Sequence, residues 1–304
     1  MSRFLEVDDN LARRKRKEKI MRAVLTGGAS VSVLALAVLL IRMAADGIPH
    51  MSWEFWTQRY SPRGINSGNS GILDSIISSF ILLFLAMLFA IPVGTAAGIY
   101  LYEYAPANRL TTWIRATVSN LAAVPSVVYG LLGLAIFVRL WADLSGGVPE
   151  PTNIAGALTL GVLVLPIVIV ATEEALKTVP DSVRQASLAM GATKWQTVRN
   201  HVLPYALPGI LTGQILALSR AAGETAPLLV IGTFTYVTAP LHELARPDGL
   251  GTPLQVRAYA LAADARIAAI EMGAATIVVL LLATLLLNLA AIFLRDRLQK
   301  KIQW

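Results

Sequence analysis

Ser75–Tyr102 reads SIISSFILLFLAMLFAIPVGTAAGIYLY, 28 residues without a charge. A helix rises 1.5 Å per residue, so about 20 apolar residues cross the ~30 Å hydrocarbon core of a bilayer. This run is long enough to do so. Five others approach or match it: Ala23–Ile41 (19 residues), Ala116–Val138 (23), Ile154–Thr172 (19), Val202–Ser219 (18) and Met272–Leu294 (23). In lipid every backbone polar group needs an internal partner, which leaves helices or closed barrels, and a barrel shows alternating segments of ~10 residues instead. Composition agrees. Only 15% of the 304 residues are charged and 55% are hydrophobic, against about 25% charged in soluble domains. A disordered chain, a collagen-like fibre and a disulfide scaffold are excluded. With no cysteine, thiolate metal sites and cysteine nucleophiles go too. The prediction is an all-α polytopic membrane protein with six transmembrane helices.

Basic residues orient it. With the N-terminus in the cytoplasm, the inside segments 1–22, 103–115, 173–203 and 295–304 hold 18 Lys and Arg. The outside segments 42–74, 139–153 and 221–266 hold 7, and all seven lysines fall inside. That is the positive-inside asymmetry, and six crossings return the C-terminus to the cytoplasm. The expected division is a basic tail over 1–22, an uncleaved anchor over 23–45, an outside loop over 46–71, a permeation domain over 72–294 and a cytoplasmic tail over 295–304. The run Arg13-Arg14-Lys15-Arg16-Lys17 lies beside the first span, where anionic lipid attracts each cation by about 1 kcal/mol. Membrane lipid, not nucleic acid, is its expected partner, since no aromatics are interleaved. Trp53, Phe55, Trp56 and Tyr60 read as interfacial anchors. Ala226–Pro240 is apolar but too short to cross, and reads as an interfacial or re-entrant piece.

Several spans carry the marks of a closely packed bundle. Gly94 with Gly98 and Gly209 with Gly213 are small-xxx-small pairs that permit close helix approach. Pro92, Pro125, Pro166 and Pro208 each remove a helical N–H, which is tolerated where protein or a water-lined cavity meets the freed carbonyl. No phosphate-binding glycine loop, nucleophile elbow or H-E-x-x-H motif occurs. His50, His201 and His242 lie far apart and read as surface residues. The chain therefore reads as a non-enzyme with no catalytic, metal or cofactor residues of its own. Uphill transport would need an ion gradient or an energy-supplying partner.

Segment 173–204 stands out as a cytoplasmic connector with its own structure. Pro180-Asp181-Ser182 supplies a helix start and Gly191 a stop, with Val183, Ala186 and Met190 at helical spacing between them. It reads as a docking element for a cytosolic partner. Gln185-Ala186-Ser187, Gly191 and, nine residues on, His201-Val202-Leu203-Pro204 resemble the EAA motif of ATP-binding-cassette importer permeases. Gln185, Ser187 and His201 depart from that pattern, while the turn glycine and the terminal Leu203-Pro204 keep it. Val124-Pro125-Ser126-Val127-Val128-Tyr129-Gly130-Leu131 and Arg220-Ala221-Ala222-Gly223-Glu224-Thr225-Ala226-Pro227-Leu228-Leu229 resemble the permeases of phosphate importers, the A-type subunit above all, over roughly 70–294.

The resemblance implies a MetI-like (type I) importer fold in a bacterial inner membrane. It implies a second, C-type permease, two copies of a cytosolic ATPase that carry the ATP and Mg, and an extracytoplasmic phosphate-binding protein. It assigns Gln185, Ala186, Ser187, Gly191, Leu203 and Pro204 to the ATPase-coupling loop. An importer for another anion or nutrient keeps the same mechanism. An ion channel or gradient-driven transporter has no use for the docking loop, and a structural or signalling subunit is a further class.

Arg220 and Glu224 stand out on physical grounds alone. Sixteen residues beyond Pro204, Arg220 sits about 24 Å along a helix, where a charge costs about 2.5–3.5 kcal/mol on the insertion scale. Four residues apart, the two can pair. They are the candidate substrate-pathway residues: a guanidinium matches phosphate oxygens, and Glu224 can hold it when no anion is present. A purely structural ion pair is the other reading. Asn120 and Gln214 are expected in helix–helix hydrogen bonds.

Overall fold

The computed structural model describes residues 2–146, 152–232, 249 and 251–302; the part of the Ala226–Pro240 reading beyond 232, and His242, lie outside them. Every regular element among these residues is helical. Six helices are long and apolar enough to cross a membrane. They fall on α1 (Ser2–Gly47), α3 (Leu73–Ile99, prolonged by a π-helical turn to Tyr104), α5 (Ser126–Gly133) running through a π turn into α6 (Arg139–Ser145), α7 (Asn153–Lys177), α10 (Leu203–Gly223) and α13 (Ile267–Ile302). Shorter helices fill the connections: α2 (Trp53–Thr57), α4 (Arg109–Leu121), α8 (Asp181–Ala189), α9 (Lys194–Thr197), α11 (Ala226–Ile231) and α12 (Leu254–Ala262).

The third span departs from the sequence reading. Ala116–Val138 is not one helix: α4 ends at Leu121 and a turn follows, with Pro125 as the N-cap of α5. Proline has no N–H to give the preceding turn, and it pushes Val124 out of helical conformation. The membrane-crossing helix runs over Ser126–Leu144 instead. Tyr129 stitches the break, its hydroxyl donating to the Leu121 carbonyl at 2.8 Å.

α7 is the most enclosed of the six, and the glycine pairs explain how. A Cβ on Gly94 would lie 2.8 Å from Val168 Cβ, and one on Gly98 2.7 Å from Thr172 Cβ. On the neighbouring side, Cβ atoms at Gly209 and Gly213 would meet the methyls of Ala175 and Ala171 at 2.8 and 2.2 Å. So α3 lies parallel to α7 and α10 antiparallel to it, each at the separation that only glycine allows. Leu82, Ala86, Leu160, Val164, Val168 and Ala217 fill the core between them. Gln214 Nε2 donates to Thr95 Oγ1 at 3.2 Å, joining α10 to α3, as expected for a polar residue in a packed span. Asn120 is exposed near the end of α4.

At the end where α3 and α7 begin, residues 51–72 and α12 form a cap. Phe55 and Tyr60 are core residues there, not interfacial anchors, whereas Trp53 stays exposed. The cap closes over an ion pair that hydropathy concealed. Arg257 Nη2 meets Asp74 Oδ2 at 3.2 Å, with both side chains almost wholly buried. Arg257 Nε also donates to Ser75 Oγ at 3.2 Å, and its guanidinium lies 3.7 Å from the Tyr60 ring centroid. Buried charges persist only when paired and hydrogen-bonded, and these partners supply both. His50 is exposed, as the sequence reading has it, and its Nε2 lies 3.1 Å from Glu271 Oε2, where α1 reaches α13.

The cap and the loop after α8 occupy opposite ends of the bundle. Gly249 accepts a hydrogen bond from Asn153 N at the start of α7, while Lys194 stands over the Tyr104 ring at the end of α3. Ser67 and Lys194 are both exposed, and the chain has no cysteine to interfere. Ser67→Cys is expected to react with an impermeant maleimide added to intact cells, and Lys194→Cys only after lysis. Outside labelling at 194 would reverse the orientation read from the basic residues.

Candidate functional site

Two regions carry the candidate residues. The first is the cytoplasmic loop of the sequence reading. Pro180 leads into α8, which ends with Met190 as its C-cap, and Gly191 follows at φ +85°. An L-residue there sets its Cβ against the backbone, so only glycine turns the chain freely. Thr193 then starts α9 with a reciprocal capping box to Gln196. A π turn over Val198–Val202 carries the chain without a break into α10, near whose start lies Pro204, and a proline there removes one N–H from the preceding turn. Leu203 packs partly buried against Val202 and Ala206.

The amphipathic face of α8 differs from the periodicity reading. Val183 turns toward the protein, but Ala186 is exposed and Met190 is 89% exposed. The inward side is completed by polar groups that hydropathy does not count. Ser187 is buried, with its Oγ 2.9 Å from Thr197 Oγ1, and Arg184 points inward to Glu103 at 2.9 Å. Burial works against the Arg184 charge, but the hydrogen bond and charge of Glu103 together hold its proton affinity above the ordinary arginine value. The outward side presents Gln185, Ala186, Leu188 and Met190, with Trp195 exposed beyond the turn. Uncovered Leu, Met and Trp side chains beside a short helix form a patch suited to a partner's groove.

The second region joins two stretches some 90 residues apart in sequence. A Cβ on Gly130 would lie 2.8 Å from both Cα and carbonyl oxygen of Pro227, so α5 and α11 touch backbone to backbone. Arg220 sits in the last turn of α10, and Glu224 is just past its end at φ −79°, ψ 117°. The helix stops there, yet the pair forms: Arg220 Nε lies 3.3 Å from Glu224 Oε1, with the side chains 40% and 18% exposed. The chain restarts as α11, burying Pro227, Leu228 and Ile231. A broken helix, an accessible cation and a counter-charge thus meet at one place. Chemically, this arrangement can receive an anion on the guanidinium in exchange for Glu224.

The six loop residues and the Arg220–Glu224 pair lie in separate regions, linked through the α7–α10 packing. Sequence reasoning missed Arg184, Glu103, Asp74 and Arg257. A signal existed for Glu103 and Asp74, each an acid bounding the longest uncharged run, but nothing in the sequence named their partners.

Comparison with known proteins agrees with this architecture. The family model for the inner membrane component of binding-protein-dependent transport systems matches residues 90–304. A probable ABC transporter permease protein of Bacillus subtilis, YqgI, is 34% identical over 303 residues, covering 93% of this chain and 98% of its own. The phosphate transport system permease protein PstA of Yersinia pestis is 36% identical over 216 residues, covering 71% of this chain and 70% of its own. Among solved structures, a chain of a bacterial alginate ABC transporter, crystallised with its alginate-bound periplasmic protein, superposes with a TM-score of 0.68 at 14% identity, covering 94% of this chain and 96% of that one. The six apolar helices, the MetI-like importer fold and these matches lead to one statement: the chain belongs to the family of inner membrane components of binding-protein-dependent transport systems.

Proposed function

We propose that this chain is a transmembrane permease subunit of an ATP-driven inorganic phosphate importer. The observation that carries the reading is the juxtaposition of α5 and α11 around Arg220 and Glu224, in a chain 36% identical to a phosphate permease. In this reading the anion is delivered from outside by a phosphate-binding protein and enters a pathway shared with a second, C-type permease. It meets Arg220, whose planar donors suit its oxygens. Glu224 competes for the same donors, so phosphate displaces a carboxylate on entry and is displaced by it on release. A guanidinium with no competitor would retain the anion.

The chain does no chemistry in this scheme. ATP and Mg are held by two copies of a cytosolic ATPase, one of which is seated against the outward side of α8, through Gln185, Ala186 and the patch around Met190. Gly191 sets the exit angle of that helix, Ser187 fastens it from within, and Leu203-Pro204 begins the span that leads to Arg220.

The test is reconstitution of the chain with the second permease, the ATPase and the phosphate-binding protein in liposomes. Radiolabelled phosphate is expected to accumulate only with ATP and with the binding protein, and excess sulfate should compete poorly. Absence of phosphate uptake by an assembled complex that carries another anion or nutrient would overturn the substrate.

A further inference from the structure

We infer that Arg184 is a positioning residue that locks the docking helix α8 to α3 and α7, so that all three move as one body when the ATPase moves. The inference rests on the coupling-loop reading given above and deepens it.

A guanidinium has five N–H donors, and Arg184 makes five hydrogen bonds. Nε and Nη2 both donate to Glu103 Oε1, at 3.2 and 2.9 Å. Nη2 also donates to the Leu176 carbonyl at 3.0 Å. Nη1 donates to the Val179 carbonyl at 2.8 Å and to Asp181 Oδ1 at 3.1 Å. These acceptors belong to three elements. Glu103 is in the π turn that ends α3, Leu176 and Val179 lie at the end of α7 and just beyond it, and Asp181 opens α8. A cation is favoured at a helix C-terminus, where the last carbonyls lack intrahelical donors.

The same π turn supports the loop twice more. Tyr102 places its ring 5.6 Å from the Arg184 guanidinium, and Tyr104 lies 5.1 Å from Lys194 Nζ. Arg184 and Glu103 side chains are only 15% and 7% exposed, so water screens the contact little. By contrast, the direct chain route from α8 to α10 passes through Met190, Gly191 and Ala192, a turn with open space around the glycine. Force on α8 therefore has two paths besides the backbone: the Arg184 contacts, which lead to α3 and α7, and the Ser187–Thr197 hydrogen bond, which leads to α9 and the π turn before α10. The Arg184 path brings α3 and α7 along with α8, and α7 is packed through Gly209 and Gly213 against the helix that carries Arg220.

The experiment uses the whole complex in liposomes and reads phosphate transported per ATP hydrolysed, with ATPase co-purification as the control for assembly. In Arg184→Gln the ATPase should stay bound and keep hydrolysing, while the transport ratio falls about 10-fold, within the range of ordinary coupling free energies. Arg184→Lys should recover little, because one ammonium cannot reach acceptors on three elements. Glu103→Gln, which keeps length and an acceptor oxygen, should fall in the same direction by less.

A double Glu103→Cys, Arg184→Cys variant, in a complex without other reactive thiols, tests the joint itself. Bridging the two thiols with a short bis-thiosulfonate should restore the ratio, and reductant should remove it again in the same sample. A wild-type ratio in Arg184→Gln, or no gain on bridging, would overturn the inference. So would failure of both Arg184→Gln and Glu103→Gln to assemble, which would assign the pair to folding alone. A wild-type complex that binds no ATPase, or moves no phosphate, would instead refute the coupling or substrate reading on which this one rests.

Discussion

Arg220→Gln is expected to lower phosphate uptake about 100-fold while the permease still assembles with its partners. A hydrogen bond to a charged group is worth about 1.5–3 kcal/mol, and each 1.36 kcal/mol is a tenfold change in rate. Glutamine keeps polarity and much of the length, so the end of α10 has no reason to unfold. Arg220→Lys should retain only a few per cent, because an ammonium cannot present two coplanar donors. Glu224→Gln should also slow uptake by leaving phosphate on an uncontested cation. A structural ion pair predicts a different pattern: each single neutralisation reduces complex yield, since it strands the other charge, and the double neutral variant recovers it. Uptake measured beside complex yield for these variants separates the two. Full transport by an assembled Arg220→Gln complex would remove Arg220 from the pathway.

Gly191→Val is expected to cut both uptake and ATPase co-purification to about a tenth while the protein still reaches the membrane. The glycine has φ +85° with nothing within 4 Å of where a Cβ would stand, so the penalty is conformational and not steric crowding. Left-handed backbone costs an L-residue about 1–2 kcal/mol, and β-branching stiffens valine further. The chain would relieve this by rotating out of the left-handed region, swinging α8 and its Met190 patch away from the position they now hold. Gly191→Asn is the control, since asparagine tolerates this region better, and it should keep most of the activity. Normal uptake with normal ATPase association in Gly191→Val would refute the docking role.

The six spans were legible in the sequence because crossing a membrane is a composition constraint: charge-free length alone identifies a segment that lipid can accept. The start at Pro180 and the stop at Gly191 were legible because both are single-residue backbone effects. Arg220 and Glu224 were legible because a charge about 24 Å along a span is rare enough to draw attention. Other features escaped for physical reasons. The break in the third span turned on whether a neighbour would satisfy the carbonyls around Pro125, and the structure answers with Tyr129 and a new helix start. The inward face of α8 is built by Arg184 and Ser187, polar residues that periodicity assigns to water until their partners are known. Asp74 and Arg257 are separated by 183 residues, and no local pattern says that two charges so far apart will bury each other. Sequence by itself determined what must lie in lipid and where the backbone must turn, since both depend on a residue and its immediate neighbours. Tertiary structure alone decided which charges meet and which helices are tied to one another, because those depend on partners brought close only when the chain has folded.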